Sequence, residues 1–453
     1  MKKILLSAIV FMIVAFGSVV ALNPDSFENN PPQIHVTDEV FWNFKDPIQI
    51  TLSDESGIQN YQVYMVSGNE SRLVESTNPP NNPKLVEIQI PAPKNTMFLS
   101  DGGVEIQITA TDNSYFGFGN TTKKTIRTVL DTQKPFIDIL AHSYKIVRGG
   151  SAFVVFQALD DNLSAITLEG GRWQFKPVYF AEGGYYAALV AWDVRDNDFN
   201  ARVIVEDKAG NRSVMPVPFY RVKREYKTST IKISDDFIDG KITSLISEIN
   251  QVAPESLALP ADKFNYINKT IRDKNVEIVN LVGQNYNQAA ILPTDFTLSK
   301  FYPLRNGAAV GRFGDHRYFA YESNIIGESY HLGIDFASIK QAPVILSNEG
   351  VVAFAGFNGI YGNMVIIDHG LGLMSLYAHL SRIDVNEGQH LETGAKLGNT
   401  GLTGLVLGDH LHFATLVQGV ESNPTEWLDS KWMNDNLFKI IKDAKALIES
   451  RSR

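Results

Sequence analysis

The chain has 453 residues, enough for several domains of ordinary size, each with its own core. Its net charge is −9 and its Lys and Arg are scattered, so the basic surface that holds nucleic acid phosphates is missing. It has no cysteine, which excludes disulfides, thiolate metal sites and a cysteine nucleophile, and leaves His, Asp and Glu to hold any metal.

Met1-Lys2-Lys3 precedes an almost wholly apolar run, Ile4 to Leu22, the layout of an export signal. Val19 and Ala21 suit signal cleavage, while the length of the run also suits a retained membrane anchor, so residues 1–22 are expected to be one or the other. The expected destination is the cell envelope (periplasm), with the protein either soluble after cleavage or tethered by residues 4–22.

After an Asn- and Pro-rich stretch the hydrophobicity alternates with period two. Val104, Ile106, Ile108 and Ala110 are separated by Glu105, Gln107 and Thr109, which predicts strands with one buried face. A faint repeat of about a hundred residues relates Pro32 to Pro135. It also relates Ala110-Thr111-Asp112-Asn113 with Gly119-Asn120 to Val205-Glu206-Asp207-Lys208 with Gly210-Asn211. The pattern is similar to two tandem immunoglobulin-like sandwiches, residues 30–133 and 134–225, with no catalytic constellation in either. From Ser234 the period becomes helical. Ile238, Ile242, Leu245 and Ile249 predict one helix with Asp235 as its cap, and Phe264, Ile267 and Ile271 a second, so 226–295 is expected to be a helical connector. Residues 431–453 carry the stripe Leu437, Ile440, Ile441, Ala444, Leu447 and Ile448, an amphipathic helix expected to pack on a neighbouring domain.

Seven of the nine histidines lie between His316 and His412, among many glycines. In His331-Leu332-Gly333-Ile334-Asp335, a straight strand would hold His331 and Asp335 too far apart to share a metal, so the backbone must bend, and Gly333 permits this. An ordinary hydrogen-bonded turn would also explain the pair. In His410-Leu411-His412, period two places both imidazoles on one face, as a metal site requires and as two exposed strand histidines would also do. In Leu376-Tyr377-Ala378-His379-Leu380, alternation puts Tyr377 with His379. Two His and one Asp would leave a fourth position on a bound zinc for water, the pattern of a catalytic site. No His-Glu-x-x-His helix is present to supply a general base, so spare histidines are the candidates.

Residues 311–429 strongly resemble the lysostaphin/LytM-type zinc endopeptidases of bacterial peptidoglycan. The resemblance runs in order through Gly311-Arg312-Phe313-Gly314, His331-x-Gly333-x-Asp335, Tyr361-Gly362-Asn363, Asp368-His369-Gly370, Tyr377-Ala378-His379-Leu380-Ser381, Gly398-x-Thr400-Gly401-x-Thr403-Gly404 and His410-x-His412-Phe413. It implies His331, Asp335 and His412 as ligands of Zn2+, His379 and His410 in proton handling and transition-state roles, and a small antiparallel sheet bearing the groove over 296–430. Tyr377 and Asn363 would line or brace the cleft, although the same face could simply be packed. His316, His369 and His390 are expected to be surface or turn residues, and Gly398–Gly404 a turn rather than a phosphate cradle, since it lacks the P-loop Lys.

The whole chain is thus expected to be multidomain and mainly β, and to hydrolyse stem or cross-link peptides of peptidoglycan as a monomer. Its partners would be wall peptides, not nucleic acid, with the membrane reached only through the N-terminal run. The competing reading is a non-catalytic wall-binding or amidase-activating protein, although no ligand is missing from the set. An adhesin or scaffold with a vestigial domain is a third.

Overall fold

The computed structural model describes residues 2–92, 103–115, 118–285 and 296–451, without the side chains of 2–8 and 16; residues 286–295 of the expected connector lie outside these. The protein is mainly β. Lys2–Leu22 is helical, and among the described residues no helix is long and apolar enough to cross a membrane. The chain divides into two compact units. One comprises residues 1–135 with 160–164 and 206–212, and the other comprises the remainder.

The first unit holds a three-stranded sheet (Gln33–His35, Ile48–Ser53, Leu85–Ile90) and a five-stranded sheet. The larger runs in the order Glu39–Trp42, Thr121–Leu130, Val104–Asp112, Ile58–Ser67, Glu70–Thr77. One core, including Ile50, Leu52, Ile88, Val63, Ile106 and Ile126, draws on both sheets. Val104, Ile106, Ile108 and Ala110 are all buried, as their alternation predicts.

Two four-stranded sheets lie between Phe136 and Pro216, the first, in the second unit, built on Ser151–Leu159 and the other on Leu163–Gly170 and Ala201–Asp207. The C-terminal helix Lys439–Arg451 continues from Asn434–Phe438 and packs against the strand Phe136–His142, burying Leu437, Ile441 and Ala444.

Residues 226–285, part of the expected helical connector, hold a strand as well as helices. Thr228–Lys232 pairs in parallel with His316–Tyr321, and two helical stretches follow, Phe237–Ile249 and Pro260–Gln284. Ile238, Ile242, Leu245, Phe264, Ile267 and Ile271 are buried, as their spacing predicts. The expected cap is displaced by one residue. Asp235 accepts a hydrogen bond from the Tyr321 hydroxyl at 2.7 Å, and Ser234 Oγ accepts from Phe237 N–H instead. Asn275 fastens the second helical stretch to the sheet domain by accepting from Ile360 N–H at 2.8 Å, and Gly283 meets Gly419 so closely that a Cβ at 283 would lie 2.0 Å from the Gly419 nitrogen.

The C-terminal sheet is antiparallel throughout. Its order is Ala308–Gly311, Ile334–Ala337, Leu411–Val417, Leu373–Leu380, Asn363–Asp368, Gly350–Phe357 and His390–Leu391, and Val420–Ser422 folds back on Leu411–Val417. Leu373–Leu380 and Leu411–Val417 are buried along their whole length, as central strands covered on both faces should be.

Candidate metal centre

Strand register brings the first two groups together. Asp335 in Ile334–Ala337 stands directly opposite His412 in Leu411–Val417, on one face of the sheet. His412 Nδ1 is 2.9 Å from Asp335 Oδ1. His331, just ahead of the strand, reaches the same oxygen through a bend, with Nε2 2.9 Å from Asp335 Oδ1 and 3.1 Å from His412 Nδ1. Two glycines make this approach possible. A Cβ at Gly333 would lie 2.6 Å from the His412 ring and from the Phe413 carbonyl oxygen, and one at Gly311 would lie 2.4 Å from Asp335 Oδ2. His331 and His412 are each 6% exposed, so water screens the cluster poorly.

Backbone carbonyls set the tautomers. His331 Nδ1 lies 2.9 Å from the Arg312 carbonyl oxygen, His379 Nδ1 2.9 Å from that of Thr403 and His410 Nδ1 2.7 Å from that of Gly408. A carbonyl can only accept, so each Nδ1 donates, and in the neutral ring each Nε2 presents a lone pair. For His331 that lone pair faces a carboxylate oxygen at 2.9 Å, an attractive arrangement only with a positive charge between them, a proton or a metal cation.

The fit to a cation is close. Donors bonded to zinc at about 2.0–2.2 Å stand roughly 3.3–3.5 Å apart in a tetrahedral array, and the distances here are shorter by a few tenths. His331, Asp335 and His412 each offer one atom to a common point. The buried Nε2 of His412, which has no hydrogen-bond partner, leaves Nδ1 as the edge this ring turns to the site.

His379 arrives by a route that alternation does not predict. Its φ of 62° lies in the left-handed region, uncommon for any residue but glycine and concentrated at functional sites. The break separates it from Tyr377. Tyr377 stands opposite Phe413 with ring centroids 5.4 Å apart, is fully buried, and accepts a hydrogen bond from Ser375 Oγ. The expectation that Tyr377 shares a face with His379 and lines the cleft is therefore corrected: it belongs to the core. The His379 ring instead lies 5.0 Å from that of His410 and 5.8 Å from that of His412. Asn363 is a brace, its Nδ2 donating to the Leu380 carbonyl and its backbone N–H to Thr403 Oγ1, which itself donates to the Leu380 carbonyl.

The site separates the protonation behaviour of its members. Burial alone would raise the Asp335 carboxyl, but when the rings of His331, His410 and His412 carry a proton toward it their hydrogen bonds outweigh burial and hold the group far below the usual carboxylate range. Burial, reinforced by the charges of His412 and His410, pushes His379 well below an ordinary imidazole. His410, 3.5 Å from Asp335 Oδ1, moves the opposite way, because its hydrogen bond and attraction to Asp335 exceed the cost of burial.

Of the remaining histidines, His316 pairs with Glu328 and stacks on Tyr330, and His390 is exposed. His369 bonds the Glu349 carbonyl and Ser375 Oγ, and burial pushes it down to about 4. None of the three joins the cluster. Arg317, with Nη2 3.8 Å from Asp335 Oδ2, and Tyr361, with its ring 5.9 Å from that of His412, were not singled out as site residues from the sequence. Tyr361 stands in a recognised motif, and nothing around Arg317 marked it. A groove of about 570 Å³ opens onto the imidazoles, walled by Leu405–Leu407 and by Phe237, Phe264 and Arg272 of the helical segment.

Residues 329–424 match the model of peptidase family M23. Over 94 residues the chain is 43% identical to the DD-carboxypeptidase/endopeptidase Mpg of Neisseria meningitidis, covering 21% of this chain and 22% of that one. It is also 43% identical over 89 residues to the peptidoglycan DD-endopeptidase ShyA of Vibrio cholerae, covering 20% and 21%. These matches thus span about a fifth of the relatives' own length. Among solved structures, the catalytic domain of the antimicrobial peptidase lysostaphin from Staphylococcus simulans is 26% identical, covering 28% of this chain and 94% of that one at a TM-score of 0.24. Residues 329–424 form a peptidase family M23 domain.

Proposed function

We propose that this protein is a zinc-dependent endopeptidase that hydrolyses stem or cross-link peptides of bacterial peptidoglycan. The observation that carries the reading is the convergence of His331 Nε2, Asp335 Oδ1 and His412 Nδ1 within 3.1 Å of one another beside a groove. These three would hold Zn2+, which supplies an acidified water and polarises the scissile carbonyl. His379, kept neutral by burial with Nδ1–H spent on the Thr403 carbonyl, accepts a proton at Nε2. His410, with Nε2 3.5 Å from Asp335 Oδ1 and its ring 5.0 Å from that of His379, donates to the leaving amine or to the developing oxyanion. The substrate class rests on the M23 domain and on the activities that the relatives' names carry.

The apolar run 4–22 would carry the chain to the cell envelope, as a cleaved signal or as a tether, and the two pairs of sheets between residues 30 and 225 would be immunoglobulin-like modules preceding the 296–430 enzyme, which acts as a monomer.

Purified peptidoglycan sacculi incubated with the full chain, with and without a chelator, test the activity. Released muropeptides that disappear on chelation and return with zinc support it, and their masses identify the bond cut. Sacculi left intact by the zinc-replete protein would overturn it.

A further inference from the structure

A second cluster of metal-ligating side chains lies in the first unit, in residues that the peptidase reading does not use. Glu28 precedes the strand Gln33–His35, Asp54 follows the strand Ile48–Ser53, and Asp112 ends the strand Val104–Asp112. One carboxylate oxygen from each lies within 4.8 Å of those of the other two. Asp54 is 7% exposed and Asp112 fully buried.

Such a gathering of negative charge needs compensation, and the protein provides it only in part. Asp112 Oδ1 accepts from Ser114 N–H and Asn120 N–H, and its Oδ2 accepts from Asn120 Nδ2. Asp54 Oδ1 accepts from Ser56 and from Gly57 N–H. Asp54 Oδ2 is buried and has no partner. Among the described residues, no Lys or Arg forms an ion pair with any of the three. Burial and mutual repulsion raise both Glu28 and Asp54. A desolvated carboxylate oxygen without a partner, on a residue gathered with two other carboxylates, is costly unless a cation meets it.

We propose that Glu28, Asp54 and Asp112 form a calcium site, separate from the imidazole cluster. Its donors are all oxygens. Carboxylates suit a hard cation with six to eight ligands better than a tetrahedral zinc, and nitrogen donors are absent from the trio. Asp131, Asp160 and Asp207 repeat the arrangement about a hundred residues on, with Asn211 bonded to Asp207 and to the Asp131 carbonyl much as Asn120 is bonded to Asp112 and that of Glu28. They leave no buried oxygen without a partner, and the proposal covers the first trio alone.

The test is calorimetric titration of Ca2+ into the full chain already saturated with zinc, for the wild type, Asp54→Asn and Glu28→Gln. A wild-type equivalent with a Kd of about 10⁻⁴–10⁻³ M or tighter, as in extracellular calcium modules, is expected. Each variant should lose that one equivalent or bind it at least about tenfold more weakly, while Asp160→Asn keeps it. Circular dichroism identifies any variant that fails to fold, in which case the other decides. No calcium binding by the wild type, equal binding by the folded variants, or Mg2+ binding as tight as Ca2+ would overturn the assignment.

Discussion

His379 is anchored through Nδ1 to the Thr403 carbonyl oxygen, 2.9 Å away, on a backbone whose φ is 62°. The anchor fixes the tautomer, so the basic Nε2 is the edge left for the groove. His379→Ala should lower turnover by about 10²–10⁴-fold, the usual worth of a positioned proton-transfer group. Because His379 is not one of the three converging donors, zinc content should stay at the wild-type level. Assay of muropeptide release beside metal analysis separates the two effects, and loss of zinc from the variant would contradict the role assigned.

A Cβ at position 333 would meet both the His412 ring and the Phe413 carbonyl oxygen, and the second contact is with backbone that cannot swing aside. Gly333→Ala should therefore displace His412 and weaken zinc binding by about 10–100-fold, comparable to losing a supporting contact around a metal ligand. Competition with a chromogenic zinc chelator measures this.

Tyr377 makes the contrary prediction. Its hydroxyl meets Ser375 Oγ within the core, so Tyr377→Phe should cost about 1 kcal/mol of stability. The rate of peptide release should be unchanged. Denaturant melts and a rate assay on the same preparation check both, and a large fall in rate with stability intact would return Tyr377 to the cleft.

Glu426 supplies a pH signature remote from the metal. It is buried, its Oε2 accepts from Ser151 N–H at 2.8 Å, and burial pushes its carboxyl up to about 8. A carboxyl raised on folding binds its proton more tightly in the native state. Its contribution is therefore complete below the unfolded value of 4.5 and is lost as pH rises through about 8. Glu426→Gln keeps an acceptor oxygen and removes the titration, so its melting temperature should exceed that of the wild type at pH 9 and converge with it near pH 5. Glu421, raised by burial to about 7, leaves some decline in both proteins. A wild type and variant with parallel profiles would show that Glu426 does not titrate in this window.

Much of the site was legible because its parts are short and local. His410-Leu411-His412 follows the two-residue strand period, and the need for a bend between His331 and Asp335 follows from extended-chain length, with Gly333 there to allow it. Tyr377 and His379 show where periodicity ends. They would share a face in any regular strand, and one left-handed residue at the strand's end separates them. The carbonyls of Arg312, Thr403 and Gly408, which orient three imidazoles, have no side-chain signature to read. The helix cap moved from Asp235 to Ser234 because Tyr321, 86 residues away, claims the Asp235 carboxylate. Long-range partners of this kind are set by tertiary packing and leave no local pattern.

Metal content of the purified full chain, measured by mass spectrometry of the elements, tests the central claim most directly. One equivalent of zinc in the wild type, falling to near zero in His331→Ala, Asp335→Ala and His412→Ala but not in His379→Ala, is the predicted result. A folded wild type that binds no zinc when the ion is supplied, or single ligand variants that keep a full equivalent, would contradict it.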